Sequence, residues 1–410
     1  MNLPATMTAF RRLTAFSFVT PVLGEQRPAL HRSPRHAVTN ITPELVSQAH
    51  QVLTNYHVAV QQPEERLPKS TSLARDQGER PPYAKVTPRP PHAKVTRGHA
   101  EATSPAGRLD GAERIGRAMT AFAAGDALGV PWEGSAPAAI DADRIGEIPA
   151  TRRGWPRGAT SDDTAQMLLV CELLADTEGD PTAEAFLARL AAAEDEIRGI
   201  GPTTRRALEH FRETGALPEP IPGQRATNGA AMRMLPVGWT TPATASDLRR
   251  HLVEALAIGT HRAPEAIAAA CLVAAMAARA IEGLGLAAVL AAAEAEADWV
   301  AGRYGEPTAV RAALAGNWTS PAEGVSLDAL ETTAAVVHVL STTADLDSAL
   351  RHSVLLGGDT DTVAALVGGI RGAMAPEELD TLTWLPLVDF DRPTDLVERL
   401  HRLRVARYTR

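Results

Sequence analysis

From about residue 111 onward the apolar positions recur at helical spacing, and before it they do not. Ile115, Met119 and Phe122, then Met167, Leu168, Cys171 and Leu174, lie at intervals that line one face of a 3.6-residue helix. The same periodicity, bounded by Gly, Pro, Asp and Thr at positions that favour helix ends, predicts helices over 182–198, 202–214, 260–282, 286–304, 326–340, 346–355 and 362–374. Strand patterns are scarce, Val and Ile are embedded in Ala-rich helical stretches, and aromatic residues make up only 4% of the chain. The expected fold is therefore all-α, a single orthogonal multi-helix bundle domain over 111–410 of about 300 residues, large enough to bury its own core.

The composition changes at the same place. Of the 30 prolines about thirteen precede residue 111, together with Lys69, Lys85 and Lys94, while the rest of the chain uses Arg alone. Residues 1–110 hold Pro81-Pro82, Pro90-Pro91 and a short duplication (Ala-Lys-Val-Thr at 84–87 and 93–96), with one helical pattern near 43–57. This stretch is expected to be a largely disordered extension. It is mildly basic, with about 14 basic against 8 acidic side chains, whereas the body has about 27 against 41.

An acidic body argues against nonspecific nucleic-acid binding, which needs a positive stripe along the phosphates, and suits carboxylates that bind cations. No run of eighteen apolar residues exists, so no membrane span is expected. Cys171 and Cys271 sit in Leu/Ala-rich helical patterns and read as buried thiols, which favours a reducing, cytoplasmic setting. Arg11-Arg12 precedes only a short, proline-interrupted apolar stretch, a poor export signal.

Three acidic clusters fall at predicted helix ends: Gly-Asp-Ala-Leu-Gly at 125–129 followed by Glu133, Ser-Asp-Asp-Thr at 161–164, and Gly-Gly-Asp-Thr-Asp-Thr at 357–362. Capping a helix needs one oxygen, whereas these clusters set mutually repelling carboxylates beside hydroxyls. A hard divalent cation with oxygen ligands would supply the missing positive charge, and no His/Cys spacing suggests zinc. For any one cluster taken alone, Asp162 or Asp359 could simply cap a helix beside solvated first-turn acids.

Together the clusters and the segments between them resemble the ADP-ribosylglycohydrolase family. The elements stand in that family's order: the 125–133, 161–164 and 357–362 clusters, with Arg-Gly-Ile-Gly at 198–201, Asn-Gly-Ala-Ala-Met-Arg at 228–233 and Gly-Thr-His at 259–261 between the second and third. The resemblance runs from about Arg114 to Gly372. It implies that Ser161, Asp162, Asp163, Asp359, Asp361 and Thr362 bind two divalent cations, Mg²⁺ or Mn²⁺. The family more often has Thr where this chain has Ser161, a hydroxyl with a freer χ1.

The implied reaction is hydrolysis of the glycosidic bond between ADP-ribose and a modified target, a protein or a small molecule, by a monomer; a nucleic acid would enter only as an ADP-ribosylated substrate. Its oxocarbenium-like transition state needs a carboxylate near the sugar and a proton donor, roles for Glu133, Asp162 and Asp163 without an assignment of the acid. The Glu133 loop suits a residue that adjusts to substrate, yet it could equally be a rigid turn.

Thr227 to Met232 could open a helix whose N–H groups face phosphate, with Asn228 and Gly229 as substrate contacts, and Gly201 marks a second such turn. His261 could touch substrate or merely support Thr260, and Arg233 reads as a structural ion-pair partner. Two rival functions remain open, a metal-dependent phosphohydrolase acting on a nucleotide diphosphate and an inactive ADP-ribose-binding protein.

Overall fold

The computed structural model describes residues 111–408, apart from 152, 222 and 224; among these no strand forms and the chain is helical. The disorder expected for 1–110, with its helix near 43–57, lies outside the described residues. The helices are α1 (Gly111–Gly129), α2 (Asp162–Asp176), α3 (Ala183–Ala193), α4 (Pro202–Thr214), α5 (Leu235–Thr240), α6 (Ser246–Ala257), α7 (Pro264–Ala280), α8 (Leu286–Tyr304), α9 (Thr308–Leu314), α10 (Ala329–Thr342), α11 (Leu346–Leu355), α12 (Thr360–Met374) and α13 (Thr394–Tyr408). No described helix is long and apolar enough to cross a membrane. Both cysteines are free and buried.

Where boundaries differ from the pattern, local chemistry explains them. Three consecutive acids, Glu194, Asp195 and Glu196, would oppose the negative end of the helix predicted over 182–198, and the chain tightens there into a 3₁₀ turn. The helix predicted from 260 starts at Pro264, whose ring fits the first helical position and holds Ala263 extended. Asp328 delays α10, because its carboxylate accepts the N–H groups of Leu330 and Glu331. Helices α6, α9 and α13 fall where the pattern reading places none; α5 is six residues long and buried throughout, so it has no amphipathic period to read.

Helix α7 is buried along nearly its whole length and packs against α5, α6, α8, α10 and α12. Fully buried Phe122, Phe186 and Trp239 anchor the main core around it, each contributing about 1.5–3 kcal/mol by removal from water. A second apolar cluster, including Trp132, Ile140, Ile145, Ile148, Leu350 and Trp384, lies beneath the segment that follows α1.

Helices α1 and α12 pack closely because the side chains between them are nearly absent. A Cβ on Gly125 would collide with the Ala364 carbonyl, and one on Gly129 with the backbone of Asp361. The Thr360 hydroxyl donates to the Gly129 carbonyl at 2.8 Å. This contact places the end of α1, with Asp126, beside the start of α12.

Candidate active site

Two residues do the capping at the start of α2, and they leave the neighbouring aspartates free. Asp126, fully buried in α1, accepts the Ser161 N–H at 3.0 Å on Oδ1, and on Oδ2 the Thr164 N–H at 3.1 Å and the Thr164 hydroxyl at 2.6 Å. The Ser161 hydroxyl accepts the Asp163 N–H at 3.2 Å. Asp162 therefore caps nothing; its Oδ2 takes a bond from Gln166 Nε2 at 2.7 Å. Asp163 is buried, and its Oδ2 has no hydrogen-bond partner.

The start of α12 repeats the arrangement. Asp359 holds the N-cap position but makes no capping bond; its carboxylate faces the Asn228 amide and accepts from the Thr362 hydroxyl at 3.3 Å. Asp361 is buried with Oδ1 unpartnered. Gly358, at a φ of 72°, adopts a left-handed turn, and its N–H donates to the Ser135 carbonyl at 2.8 Å. The Gly134 N–H donates back to the Gly358 carbonyl at 2.8 Å, so the loop bearing Glu133 is tied to the turn bearing Asp359. Trp132 is buried in the second apolar cluster beneath the base of this loop. The Glu133 side chain stands at the rim, 2.8 Å from Arg153 Nη2.

These carboxylates act on one another through their charges. Burial pushes Asp162 up to about 7, with the charges of Asp126, Glu133 and Asp359 adding to it. Asp163 rises well above the usual carboxylate range through burial and then repulsion from Asp126, Asp162 and Asp359. Asp361 rises likewise, through burial and then Glu133, Asp359, Asp163 and Asp126. Burial also raises Asp126 and Asp359 to about 6, against the hydrogen bonds that favour their charged forms.

The donor set fits a hard cation. Buried carboxylates that repel one another, two with an unpartnered oxygen, lack positive charge. Among the described residues no three His, Cys, Asp or Glu side chains already stand close enough to grip one ion.

The segments expected to bind substrate surround this cluster in different ways. Residues 228–233 form a run of turns, and the helix expected to open there begins only at Leu235. Asn228 uses its amide on Asp359 and on the Thr332 hydroxyl, the latter at 2.9 Å. Gly229 lies against His261, whose ring carbon would be 2.6 Å from a Cβ there. Both His261 nitrogens are occupied, Nδ1 by the Thr260 hydroxyl at 2.7 Å and Nε2 by that of Thr227 at 3.0 Å. Burial, with Arg233 adding, lowers the imidazole to about 3, so it is a neutral brace for the 227–229 turn. Gly201 caps α4 ahead of Pro202.

Arg233 is fully buried, but its hydrogen bonds go to Gln166 (3.1 Å), to Thr260 (2.7 Å) and to the Gly229 and Leu256 carbonyls rather than to a carboxylate. Gln166 bridges it to Asp162, whose charge also acts on it directly. Sequence reasoning placed Asp126 in the first acidic cluster but gave it no role, and it missed Gln166 and Arg153. A signal existed for Asp126, an acid among the apolar positions of α1, while Arg153 lies in a loop without periodicity.

Known proteins share this chain's sequence pattern and fold. The sequence model of the family described as ADP-ribosylglycohydrolase matches residues 108–410. An ADP-ribosyl-[dinitrogen reductase] glycohydrolase of Rhodospirillum rubrum is 28% identical over 279 residues, covering 67% of this chain and 90% of its own. An uncharacterized protein of Archaeoglobus fulgidus is 28% identical over 316 residues, covering 72% and 97%. A solved structure described as an ADP-ribosylglycohydrolase-related protein complex aligns with a TM-score of 0.58 at 29% identity, over 73% of this chain and 98% of that one. The chain belongs to the ADP-ribosylglycohydrolase family, hydrolases of ADP-ribosyl linkages.

Proposed function

We propose that the chain cleaves the glycosidic bond between ADP-ribose and a modified protein or small molecule, and that two divalent cations, Mg²⁺ or Mn²⁺, complete its site. The observation that carries this reading is the pair of buried carboxyl groups of Asp163 and Asp361, each with an oxygen that no described residue satisfies. Ser161, Asp162, Asp163, Asp359, Asp361 and Thr362 would hold the ions. When bound, the cations supply Lewis-acid orientation of the ribose hydroxyls and a more acidic water.

The chain's own residues do the rest. Glu133, Asp162 and Asp163 stabilise the cationic sugar and hold or release the proton that the leaving group needs. Asp126 fixes the start of α2 so that Asp162 and Asp163 stay turned away from capping. Gln166 orients Asp162 from behind, backed by Arg233. Asn228 stands beside Asp359, with Gly229 next to it against His261, and the start of α4 at Gly201 offers N–H groups suited to phosphate oxygens.

Product identity tests the reading. Incubation with a panel of ADP-ribosylated substrates and Mg²⁺ or Mn²⁺ should release free ADP-ribose. Release of AMP would instead mean phosphoanhydride hydrolysis, and binding of ADP-ribose without any turnover would mean a protein that kept the fold and lost the chemistry.

A further inference from the structure

Arg153 and Glu133 form an ion pair whose side chains are 47% and 24% exposed. A pair so open to water adds little to stability, and it stands at the edge of the acid cluster, where the charge of Glu133 acts on Asp162, Asp359 and Asp361. The guanidinium also lies over the Trp155 ring, 5.1 Å from its centroid. Gly199 forms the wall opposite: a methyl group there would be 3.1 Å from the Trp155 ring, 3.4 Å from Asp162 Oδ1 and 3.6 Å from Arg153 Nη1. Gly199 thus has Arg153 and Asp162 on its two sides, while the ion pair of Arg153 is with Glu133.

The cluster has a second arginine, Arg233, but that one is buried behind Gln166 and tied to carbonyls. Arg153 is different. It sits on an exposed loop at the open side, where a charge can leave and return.

We propose that Arg153 is a tethered counter-ion: its guanidinium offsets the carboxylates at the mouth when no divalent cation is present, and gives way when one enters. This rests on the reading that the cluster takes divalent cations. Arg153 then weakens cation binding twice, once by repelling the incoming ion and once because its bond to Glu133 is lost as it moves aside. Since the pair is half-exposed, salt should screen both effects.

The test is Mn²⁺ binding to the full chain at low and high salt, followed by the electron paramagnetic resonance of free Mn²⁺, for the wild type, Arg153→Gln and Arg153→Lys. Melting curves without Mn²⁺ check that each variant is folded. The expected result is binding by Arg153→Gln about 3- to 10-fold tighter than wild type at low salt, a gain that shrinks at high salt, and near-wild-type binding by Arg153→Lys. Unchanged or weaker binding by Arg153→Gln, or a gain that Arg153→Lys shares, would overturn the proposal while leaving the cation reading intact. If neither wild type nor Arg153→Gln binds Mn²⁺, the cation reading falls and the counter-ion falls with it.

Discussion

Ser161 and Asp361 both stand at helix starts, yet replacing them should move stability in opposite directions. Ser161→Ala removes the hydroxyl that caps α2 and should cost about 1 kcal/mol even in chelator. Asp361 caps nothing, so Asp361→Asn should instead stabilise the cation-free protein. Burial and neighbouring charges raise the folded-state pKa of Asp361 above its unfolded value. The resulting cost is absent below about pH 4 and grows as pH rises toward the folded value, at about 1.4 kcal/mol per unit for one group. Melts in chelator should therefore show a larger gain for Asp361→Asn at pH 7.5 than at pH 5, while turnover falls by orders of magnitude. Near-normal turnover at saturating substrate and Mg²⁺ would remove Asp361 from the site.

His261 has the opposite linkage, because burial lowers its folded-state pKa to about 3. The stability it contributes is present above its unfolded pKa of about 6.5 and is lost as pH falls toward 3. His261→Ala, which removes one hydrogen bond from each of the Thr227 and Thr260 hydroxyls, should cost about 1–3 kcal/mol at pH 7.5. That cost should shrink at pH 5, as thermal melts at the two pH values would show. A pH-independent cost would mean that the imidazole is not held neutral.

At the scale of the element, the site depends on how closely α1 approaches α12. Gly129→Ala pushes a methyl group into the Asp361 backbone, where no flexible side chain can yield, and should cost about 2–3 kcal/mol and weaken Mn²⁺ binding. Gly116→Ala on the same helix meets only the Arg392 side chain and should be nearly neutral. Equal losses from the two substitutions, in melts and in Mn²⁺ titrations, would contradict this geometry.

Most of these elements are legible in the sequence, because Ile115, Met119 and Phe122 or Met167 and Leu174 repeat at the helical period. Helix ends are less so. They turn on single contacts such as the Asp328 cap or Pro264, and α5 is buried on every side, which erases its period. The acidic clusters can be read as clusters, but which carboxylate caps and which stays free depends on the fold. Ser161 looks like a ligand and also caps, while Asp126 looks like part of a helix end and holds another helix in place.

At the scale of the molecule, the acidic body concentrates part of its negative charge where water is excluded, so stability and activity should depend on the same ions. A chain starting near Leu109 should keep both, since the described domain builds its own core; loss of soluble expression would show that the extension belongs to the enzyme. The most direct test is chelation of the full chain at neutral pH, with melting temperature, bound metal and ADP-ribose release measured on one preparation. The account predicts that chelator lowers the melting temperature and abolishes release, and that Mg²⁺ or Mn²⁺ restores both. Full ADP-ribose release in excess chelator, with no metal found by elemental analysis, would contradict it.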